Sequence, residues 1–531
     1  MATTTKYASV VVNLGLGLPS WVTDLDDQQR VAAYDGYQRM YDNAPGTFKV
    51  SMRGTEDKPV YIPSARKIVE ATNRFLGKGW NWSLASVNPD VQVAEADRAT
   101  LEATLAALFA REEMLAKFFS IKRNFLIKGD AFWHISADLG AVAGQRVSIS
   151  EINPRSVFKI PHPTNEERMV GVYIVDLILA DDGKTEIARR QEYRYNDDGT
   201  VFSRLTFWEA NAWDDRWTGH PPLKPVETPE GYRADPNMAL LLSGTTLPTS
   251  VTTIPVYHMR NNRAGGEPYG SSQIAGIETL IAAINQTVSD EDITLALQGL
   301  GVFVTDSTRP VDSQGIETDW VVAPGTVLEM KTGSTFQRID GVKTVVPFQE
   351  HLGYLDSQLT STSGLSATAI GNVDVQVAAS GVALRLDMAP ILAQNEEKEA
   401  ELLSRMDQML FDLLKMWMPV EGVSVPEGLQ ISNSFDDPLP IDRAGVIAEV
   451  TALVNAGLMS RDFAIKYLTA KLGYQFPTDM LLDILDEQDS IGARLRAEAA
   501  GGAVGTDEGT GDISMGAGGA AGSIATPAPV A

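Results

Sequence analysis

Cysteine is absent from all 531 residues of the sequence. Its absence excludes disulfides, thiolate metal ligands and cysteine nucleophiles. The sequence also lacks an apolar run of about 18 residues, the minimum for a membrane-spanning helix, so we expect no membrane partner. The apolar stretch near the N-terminus is short, broken by glycines and nearly free of flanking positive charge. It therefore does not predict a secretory signal.

Positive charge is scarce as well. The sequence has 44 Lys and Arg against 69 Asp and Glu, which gives a formal net charge of −25. A protein that reads a DNA sequence needs a basic face to displace phosphate counterions. The composition argues against that class of protein, but it leaves open a protein that handles DNA without gripping it.

Recognisable catalytic and cofactor motifs are missing. The run Asp182–Thr185 ends like a phosphate-binding loop, but Ile178 stands where the loop requires its first glycine, so a hairpin turn is the better interpretation. The histidines lie too far apart along the chain to form a metal motif, and we predict structural or surface roles for them. They are His134, His162, His220, His258 and His351. We therefore predict no enzyme activity, no cofactor and no metal site.

The first part of the chain shows a helical period, followed by a period of two. Helices are predicted over residues 24–42, 64–77 and 95–128, the last as one helix or two. Ser64 is predicted to be an N-cap, and Gly129 to end the last helix. From residue 131 to 209 the pattern predicts an antiparallel meander, with turns at "DDGK" and "NDDGT". Trp80 and Trp82 share one side of a predicted strand, where packing and base stacking are the alternatives.

A long acidic helix is predicted from Ser271 to Gln298, capped by Ser271 or Ser272. At 1.5 Å per residue it would extend about 40 Å. Its apolar stripe consists of Ile274, Ile277, Ile281, Ile284, Val288 and Leu295.

The rest of the chain alternates helices with irregular segments. Strands and turns are predicted over 299–343, and a helix from Pro347 with an apolar stripe at Phe348, Leu352, Leu355 and Leu359. Residues 364–380 predict a mobile loop. A long helix over 380–418 is expected to kink or break at Pro390. Three short helices are predicted over 441–500, with breaks at Gly457 and Gly473 and caps at Ser460 and Thr478, before a disordered Gly/Ala-rich tail.

The order of these segments resembles the portal proteins of tailed bacteriophages, of the long-tailed siphophage type. The strand, Gly-Ser turn and helix that lead into the portal tunnel resemble "IPVYHMRNNRAGGEPYGSSQIAGIETLIAAINQTVSDE" from Ile254. The helix that follows the portal tunnel loop resembles "SGVALRLDMAPILAQNEEKE" from Ser380, and a transition in the portal wing resembles "FLIKGDAFWHI" from Phe125. The resemblance covers residues 60–500 in order.

The resemblance implies an α+β, mainly helical portal fold with wing, stem, clip and crown. The implied divisions are 1–265 wing, 266–298 first stem helix, 299–343 clip, 344–363 second stem helix, 364–380 tunnel loop, 381–440 long kinked helix with a return to the wing, 441–500 helical crown and 501–531 tail.

The resemblance also implies a function in the virion. The chain would form a homo-oligomeric ring, typically of twelve subunits (a homododecamer), at one capsid vertex, after assembly in the host cytoplasm. The ring would be the head-tail connector and the channel for DNA packaging and ejection. Implied partners are double-stranded DNA bound without sequence specificity, the major capsid protein, the terminase large subunit and a head-completion adaptor protein.

The placement of charge supports a channel independently. No Lys or Arg occurs between Arg263 and Arg309, or between Lys343 and Arg385. A fixed basic ring would bind phosphate and retard DNA, whereas acidic walls repel the duplex over about 8–10 Å. We also expect neighbouring subunits to cover the apolar stripe of the first stem helix. The acidic residues assigned to the stem lumen are Glu278, Asp290, Glu291, Asp292, Glu350 and Asp356.

Two further groups are candidate contacts. Within the tunnel loop, the residues predicted to face DNA are Asn372, Val373, Asp374, Val375 and Gln376, with a rigid packed loop as the alternative. Three basic residues lie near the end of the clip, at Lys331, Arg338 and Lys343. The alternatives for them are salt bridges between subunits, a local ring that touches DNA, or an ordinary solvated surface. For the whole protein, the alternatives are a capsid-associated ring without DNA passage and an unrecognised hydrolase.

Overall fold

The fold is α+β, with more residues in helices than in strands, as predicted. A computed structural model describes residues 24–48, 50, 59–86, 94–162, 164–179, 181–184, 186–209, 226–230, 242, 244–263, 267–300, 302–311, 314–320, 332–339, 346–366, 368–370, 381–438, 443–472 and 480. The chain forms two compact units, Met1–Pro440 and Ile441–Ala531. In the described residues, no helix is both long and apolar enough to cross a membrane.

The first unit begins with helices close to the predicted positions. They are α1 (Asp24–Tyr41), α2 (Ser64–Phe75), α3 (Glu95–Arg111) and α4 (Met114–Lys128). The segment 95–128 is thus two helices, separated where Glu113 adopts a φ of 49°. Gly129 ends α4 with a φ of 87°, as predicted. Ser64 is not the N-cap of α2, because Pro63 occupies that position and Ser64 is already helical.

The β region forms two sheets rather than one meander. Strand β2 (Asp130–Ala137) pairs with β3 (Val147–Ile152) on one side and with β9 (Val256–Arg260) on the other, in the order β3-β2-β9. The predicted meander follows, and its hairpin turns lie at "DDGK" and "NDDGT" as expected. Its strands are β4 (Val157–His162), β5 (Asn165–Leu179), β6 (Glu186–Tyr195), β7 (Val201–Glu209) and β8 (Thr245–Thr246).

Two helices flank a small two-stranded sheet in the next part of the chain, which we call the hairpin although residues 306–335 separate its strands. They are α5 (Glu278–Leu300) and α6 (Val346–Thr362), and the antiparallel strands between them are β10 (Val302–Thr305) and β11 (Phe336–Ile339). The two helices pack against each other. Because β10 follows α5 and β11 precedes α6, the hairpin lies where the first helix ends and the second begins.

Helix α5 starts at Glu278, and the prediction of a start at Ser271 was wrong. Residues 271–277 form turns, and Gly276 adopts a φ of 86° that interrupts a helix. The helix has 23 residues and extends about 35 Å instead of 40 Å.

The long helix α7 (Gly381–Asp412) runs through Pro390 without ending. Of the predicted kink or break, the break was wrong, because Met388 and Ile391 on either side of the proline are buried in the core and hold the helix in place. Regular α-helix instead gives way to a π-helical turn at Leu413–Trp417. The chain continues through α8 (Met418–Glu421) to β12 (Leu429–Ser434), which pairs with β1 (Asn81–Ser86).

The tryptophans near β1 pack in the core of their own protomer. Trp80 lies 5.9 Å from Phe109 between ring centroids, and Trp82 meets the same ring edge-on at 5.0 Å. Of the two alternatives predicted for these side chains, the contacts confirm packing.

The second unit contains two helices in its described residues, α9 (Arg443–Asn455) and α10 (Arg461–Leu472). Gly457 has a φ of 71°, which places the predicted break between them. Ser460 Oγ accepts the backbone N–H of Phe463 at 3.2 Å, as expected of an N-cap. Gly473, Thr478 and the tail lie outside the described residues.

Candidate functional site

The apolar stripe predicted for the first stem helix is divided between core and surface. Ile274, Ile277, Ile281 and Ile284 are buried in the core of their own protomer, together with residues of α6 and α7. At the other end of α5, the side chain of Leu295 is 47% exposed. The expectation that neighbouring subunits cover the stripe is therefore wrong for its first half, because the protomer already covers it.

Two of the predicted lumen acids contact other helices of the same protomer. Glu278 accepts a hydrogen bond from the Tyr37 hydroxyl on α1 at 3.2 Å. Burial, together with the charge of that carboxylate, raises the pKa of Tyr37 to about 12. Asp356 on α6 lies 3.4 Å from Lys67 Nζ on α2. These two acids join α5 and α6 to the helical part of the unit.

The other predicted lumen acids lie nearer the hairpin. Asp290 accepts a hydrogen bond from Gln286 Nε2, one turn earlier on α5, at 3.2 Å. Asp290 and Glu291 are half-buried, whereas Asp292 and Glu350 are exposed. Helices α5 and α6 contain no Lys or Arg, so the charged side chains that these two helices present are acidic.

The candidate clip and loop contacts fall mostly outside the described residues. Arg338 belongs to β11, where its backbone pairs with Phe303 of β10. Lys331 and Lys343 lie outside the described residues. So do the tunnel-loop candidates Asn372, Val373, Asp374, Val375 and Gln376.

A dense joint holds the residues that precede α5, which we call the lead segment (residues 267–277). Gly270 lies directly against the end of α4: a Cβ placed on it would be 2.2 Å from the carbonyl oxygen of Gly129 and 2.6 Å from that of Asn261. Asn261 donates its backbone N–H to Gly129 at 2.8 Å, and Ser271 donates to Asn261 at 2.8 Å. Only glycine fits at this crossing of three backbone segments.

The prediction that Ser271 or Ser272 caps the start of α5 was wrong, because Ser272 caps the end of α4 instead. Its hydroxyl donates to the carbonyl of Ile127 at 2.5 Å. The backbone N–H of Gln273 donates to the carbonyl of Leu126 at 2.8 Å. The last carbonyls of α4 have no hydrogen-bond donors within the helix. The lead segment supplies the donors for the carbonyls of Leu126 and Ile127.

Helix α7 reaches the same joint through a buried lysine. Lys398 Nζ donates to Asn261 Oδ1 at 2.7 Å and to Asn262 Oδ1 at 2.6 Å. Burial lowers the pKa of Lys398 to about 8. The ammonium therefore joins α7 to the end of β9 through side-chain oxygens.

A chain of buried titratable groups runs beneath the lead segment. Asp130, fully buried at the start of β2, accepts hydrogen bonds from the Tyr34 hydroxyl, from His258 Nε2 at 2.6 Å and from the Gly270 N–H at 2.8 Å. On the other side of the imidazole, Lys159 Nζ lies 2.9 Å from His258 Nδ1. Because an ammonium group can only donate, Nδ1 accepts and Nε2 carries the proton.

Arg30 closes one side of this chain. Its guanidinium lies over the Tyr269 ring, 4.0 Å from the centroid, and donates to the carbonyl of Val157 at 3.0 Å. It also pairs with Asp27 at 2.8 Å on the same helix. A planar cation with several donors can satisfy all these groups at once, which lysine could not.

Burial sets the protonation of the chain. It raises the pKa of Asp130 to about 6, even though hydrogen bonds from Tyr34 and Gly270 oppose the rise. It lowers the pKa of Lys159 to about 7, and burial with the nearby Lys159 charge lowers the pKa of His258 well below its usual value. His258 is thus neutral and relays hydrogen bonds between an acid and a base.

Sequence reasoning did not identify this joint, although a signal was present. Asp130, Lys159 and His258 interrupt apolar runs in "KGDAFW", "VFKIPH" and "VYHMR". A charged residue inside a buried strand requires a partner, and three such residues predict one another. In the described part of the chain, no group of three or more His, Asp or Glu residues is placed to hold a metal ion.

Comparison with known proteins gave structural similarity only. No family model and no curated protein matches the sequence. One similar structure is a chain from the virion of a native gene transfer agent particle, with 12% identity, a TM-score of 0.40, and 89% of this chain and 100% of that chain covered. Another is a chain from the neck of an empty gene transfer agent particle, with 12% identity, a TM-score of 0.42, and coverages of 90% and 100%.

Proposed function

We propose that this protein is a portal subunit, one protomer of a ring through which double-stranded DNA passes into and out of a capsid. The observation that carries the proposal is the pair of helices α5 and α6. They pack side by side, contain no Lys or Arg, and flank a two-stranded hairpin. The ordered resemblance along the sequence assigns the same two helices to a tunnel wall.

The proposal requires the helix pair to be held firmly at one end. The joint at Gly270 fixes the lead segment to the body, and Ile281 and Ile284 are buried in its core. Exposed acidic side chains then lie on the part of the pair nearer the hairpin, at Asp292 and Glu350. Such a wall repels phosphates at short range without retaining them.

In this function the protein is a passive guide and not a motor. The terminase would hydrolyse ATP, and the ring would dock it together with the major capsid protein and a head-completion adaptor. The channel needs neither a cofactor nor a catalytic residue of its own. Virion localisation follows from this role.

Ring formation requires surface that a lone protomer leaves open. Exposed apolar side chains occur on both helices and on the hairpin. They are Leu295, Val304, Val346 and Tyr354. In a closed ring, one such surface packs against a different surface of the next subunit, so these positions are our candidates for subunit contact.

Electron cryo-microscopy of the purified full-length chain tests the proposal. We expect axial class averages to show a closed ring with a central hole wide enough for a DNA duplex, lined by α5 and α6. A ring with a closed axis would favour a capsid-associated scaffold without DNA passage. A monomer at all concentrations, or a ring with these helices on its outer surface, would refute the proposal.

A further inference from the structure

The buried, hydrogen-bonded side chains beneath the lead segment attach this segment at two points, one through an acidic group and one through a basic group. Asp130 accepts the Gly270 N–H at 2.8 Å, and Lys159 Nζ donates to the carbonyl of Pro268. His258 lies between the two charged groups and bonds to both. The lead segment therefore cannot move away from the body without separating Asp130 and Lys159 from their partners and admitting water.

Admission of water changes how strongly both groups bind protons. In the closed joint, burial raises the pKa of Asp130 to about 6 and lowers that of Lys159 to about 7. In water an aspartate has a pKa of about 3.9 and a lysine about 10.4. The closed and open states therefore bind different numbers of protons, and the equilibrium between them depends on pH.

We propose that Asp130, His258 and Lys159 form a proton-linked lock on the lead segment, which opens most readily near neutral pH and tightens on either side. The lock concerns the motion of one segment and holds whether or not the protein is a portal. Within a portal, it would make the attachment of α5 weakest under neutral conditions.

The pH dependence on each side of neutrality follows from the difference in proton binding between the closed and open states. Below about pH 6, the closed joint takes up a proton on Asp130 while the open joint remains ionised, so acid stabilises the closed state. Above about pH 7, Lys159 loses its proton in the closed joint but keeps it in the open joint, so base also stabilises the closed state. Between these limits both groups are charged in the closed joint, which is where burial costs most.

Other charged and titratable groups surround the pair. Arginine stays charged between pH 5 and 9, and burial raises the pKa values of Tyr34 and Tyr269 and lowers that of His258. The groups that face the pair are Asp27, Arg30 and Tyr34 on α1, His258 and Arg260 on β9, Tyr269 in the lead segment, and Glu401 and Arg405 on α7.

Hydrogen exchange of the full-length chain tests the lock. The amides of Gly270 and Ser271 report opening directly, since their N–H groups bond to Asp130 and to the carbonyl of Asn261. After division by intrinsic exchange rates, we expect the opening constant at pH 7 to exceed that at pH 5 by about fivefold and that at pH 9 by more than tenfold. The Leu247 amide, which bonds to the Val201 carbonyl at 2.8 Å, is the control and should not change.

Two variants test which group causes the pH dependence on each side of neutrality. Asp130→Asn should abolish the rise between pH 5 and 7 and keep the fall toward pH 9, and Lys159→Met should do the reverse. If either variant fails to fold, the wild-type profile alone decides. Protection that is constant from pH 5 to 9, or greatest at neutral pH, would overturn the proposal. The measurement does not use ring formation, so its failure is distinct from failure of the proposed function.

Discussion

Asn285 Oδ1 accepts the backbone N–H of Ile62 at 2.7 Å, and this bond joins the middle of α5 to the segment before α2. One turn later, Ser289 Oγ accepts the N–H of Val60 at 3.0 Å. Asn285 is fully buried. Two side chains of a helix therefore satisfy the backbone donors of a segment that has no strand partner there.

Removal of this bond should destabilise the first unit. Asn285→Leu removes the acceptor of the Ile62 N–H, and loss of this hydrogen bond costs about 0.5–1.5 kcal/mol in the free energy of unfolding. Urea unfolding followed by circular dichroism measures the change. Thr287→Ala is the matched control, because the Thr287 hydroxyl donates within α5, to the Ala283 carbonyl at 2.9 Å. An equal loss in both variants would contradict the assigned role of Asn285.

Positions along α5 should separate folding from assembly. Ile281 is fully buried, so Ile281→Ala should lower the free energy of unfolding by about 2–5 kcal/mol. Leu295 is half exposed, so Leu295→Glu should leave the unfolding midpoint nearly unchanged and reduce the ring fraction in analytical ultracentrifugation. Leu179→Glu, at an exposed position on β5, is the control. If Leu295→Glu forms rings as well as the wild type, Leu295 is not a subunit contact.

Two glycines in opposite surroundings should respond in opposite ways to alanine. Gly270→Ala places a methyl group 2.2 Å from the Gly129 carbonyl oxygen, so we expect loss of soluble protein or a large fall in melting temperature. Gly353 lies within α6 with nothing within 4 Å of an added Cβ, and Gly353→Ala should stabilise the helix by about 0.5–1 kcal/mol. Thermal unfolding compares them. Tolerance of Gly270→Ala would show that the joint can shift.

The sequence predicted the helices, the hairpin turns and the α+β class because these follow from local periodicity. It misplaced the start of α5, since Ile274 and Ile277 match the helical period but are buried from a turn. Ser272 has the residue type of an N-cap, and it caps the preceding helix instead. Which of two helix ends a serine satisfies depends on tertiary contacts, and these contacts are not visible in spacing.

The amino-acid composition also gave no indication that several lysines are buried. Lys122, Lys128, Lys159 and Lys398 are buried in a chain of strongly negative net charge. Each bonds to backbone or side-chain oxygens, as Lys122 does to the Leu76 carbonyl at 2.8 Å. Part of the limited positive charge is therefore used inside the protomer, together with buried acids such as Asp130 and Asp412.

Reversal of charge near the hairpin tests directly whether α5 and α6 form a channel wall that does not retain DNA. Asp292 and Glu350 are exposed and, in the proposed ring, every subunit contributes both. The double variant Asp292→Lys, Glu350→Lys should convert a repelling surface into one that binds phosphate, because each lysine near the backbone releases a counterion. We expect the variant ring to retain linear duplex DNA at low salt and to release it steeply as salt rises, whereas the wild-type ring retains little.

Glu427→Lys, at an exposed turn before β12, is the control for added charge alone. Filter binding of labelled duplex across a salt series gives the slope. Equal retention by this control and by the double variant would place Asp292 and Glu350 outside any DNA path, and the channel wall would then have to be sought elsewhere on the protomer.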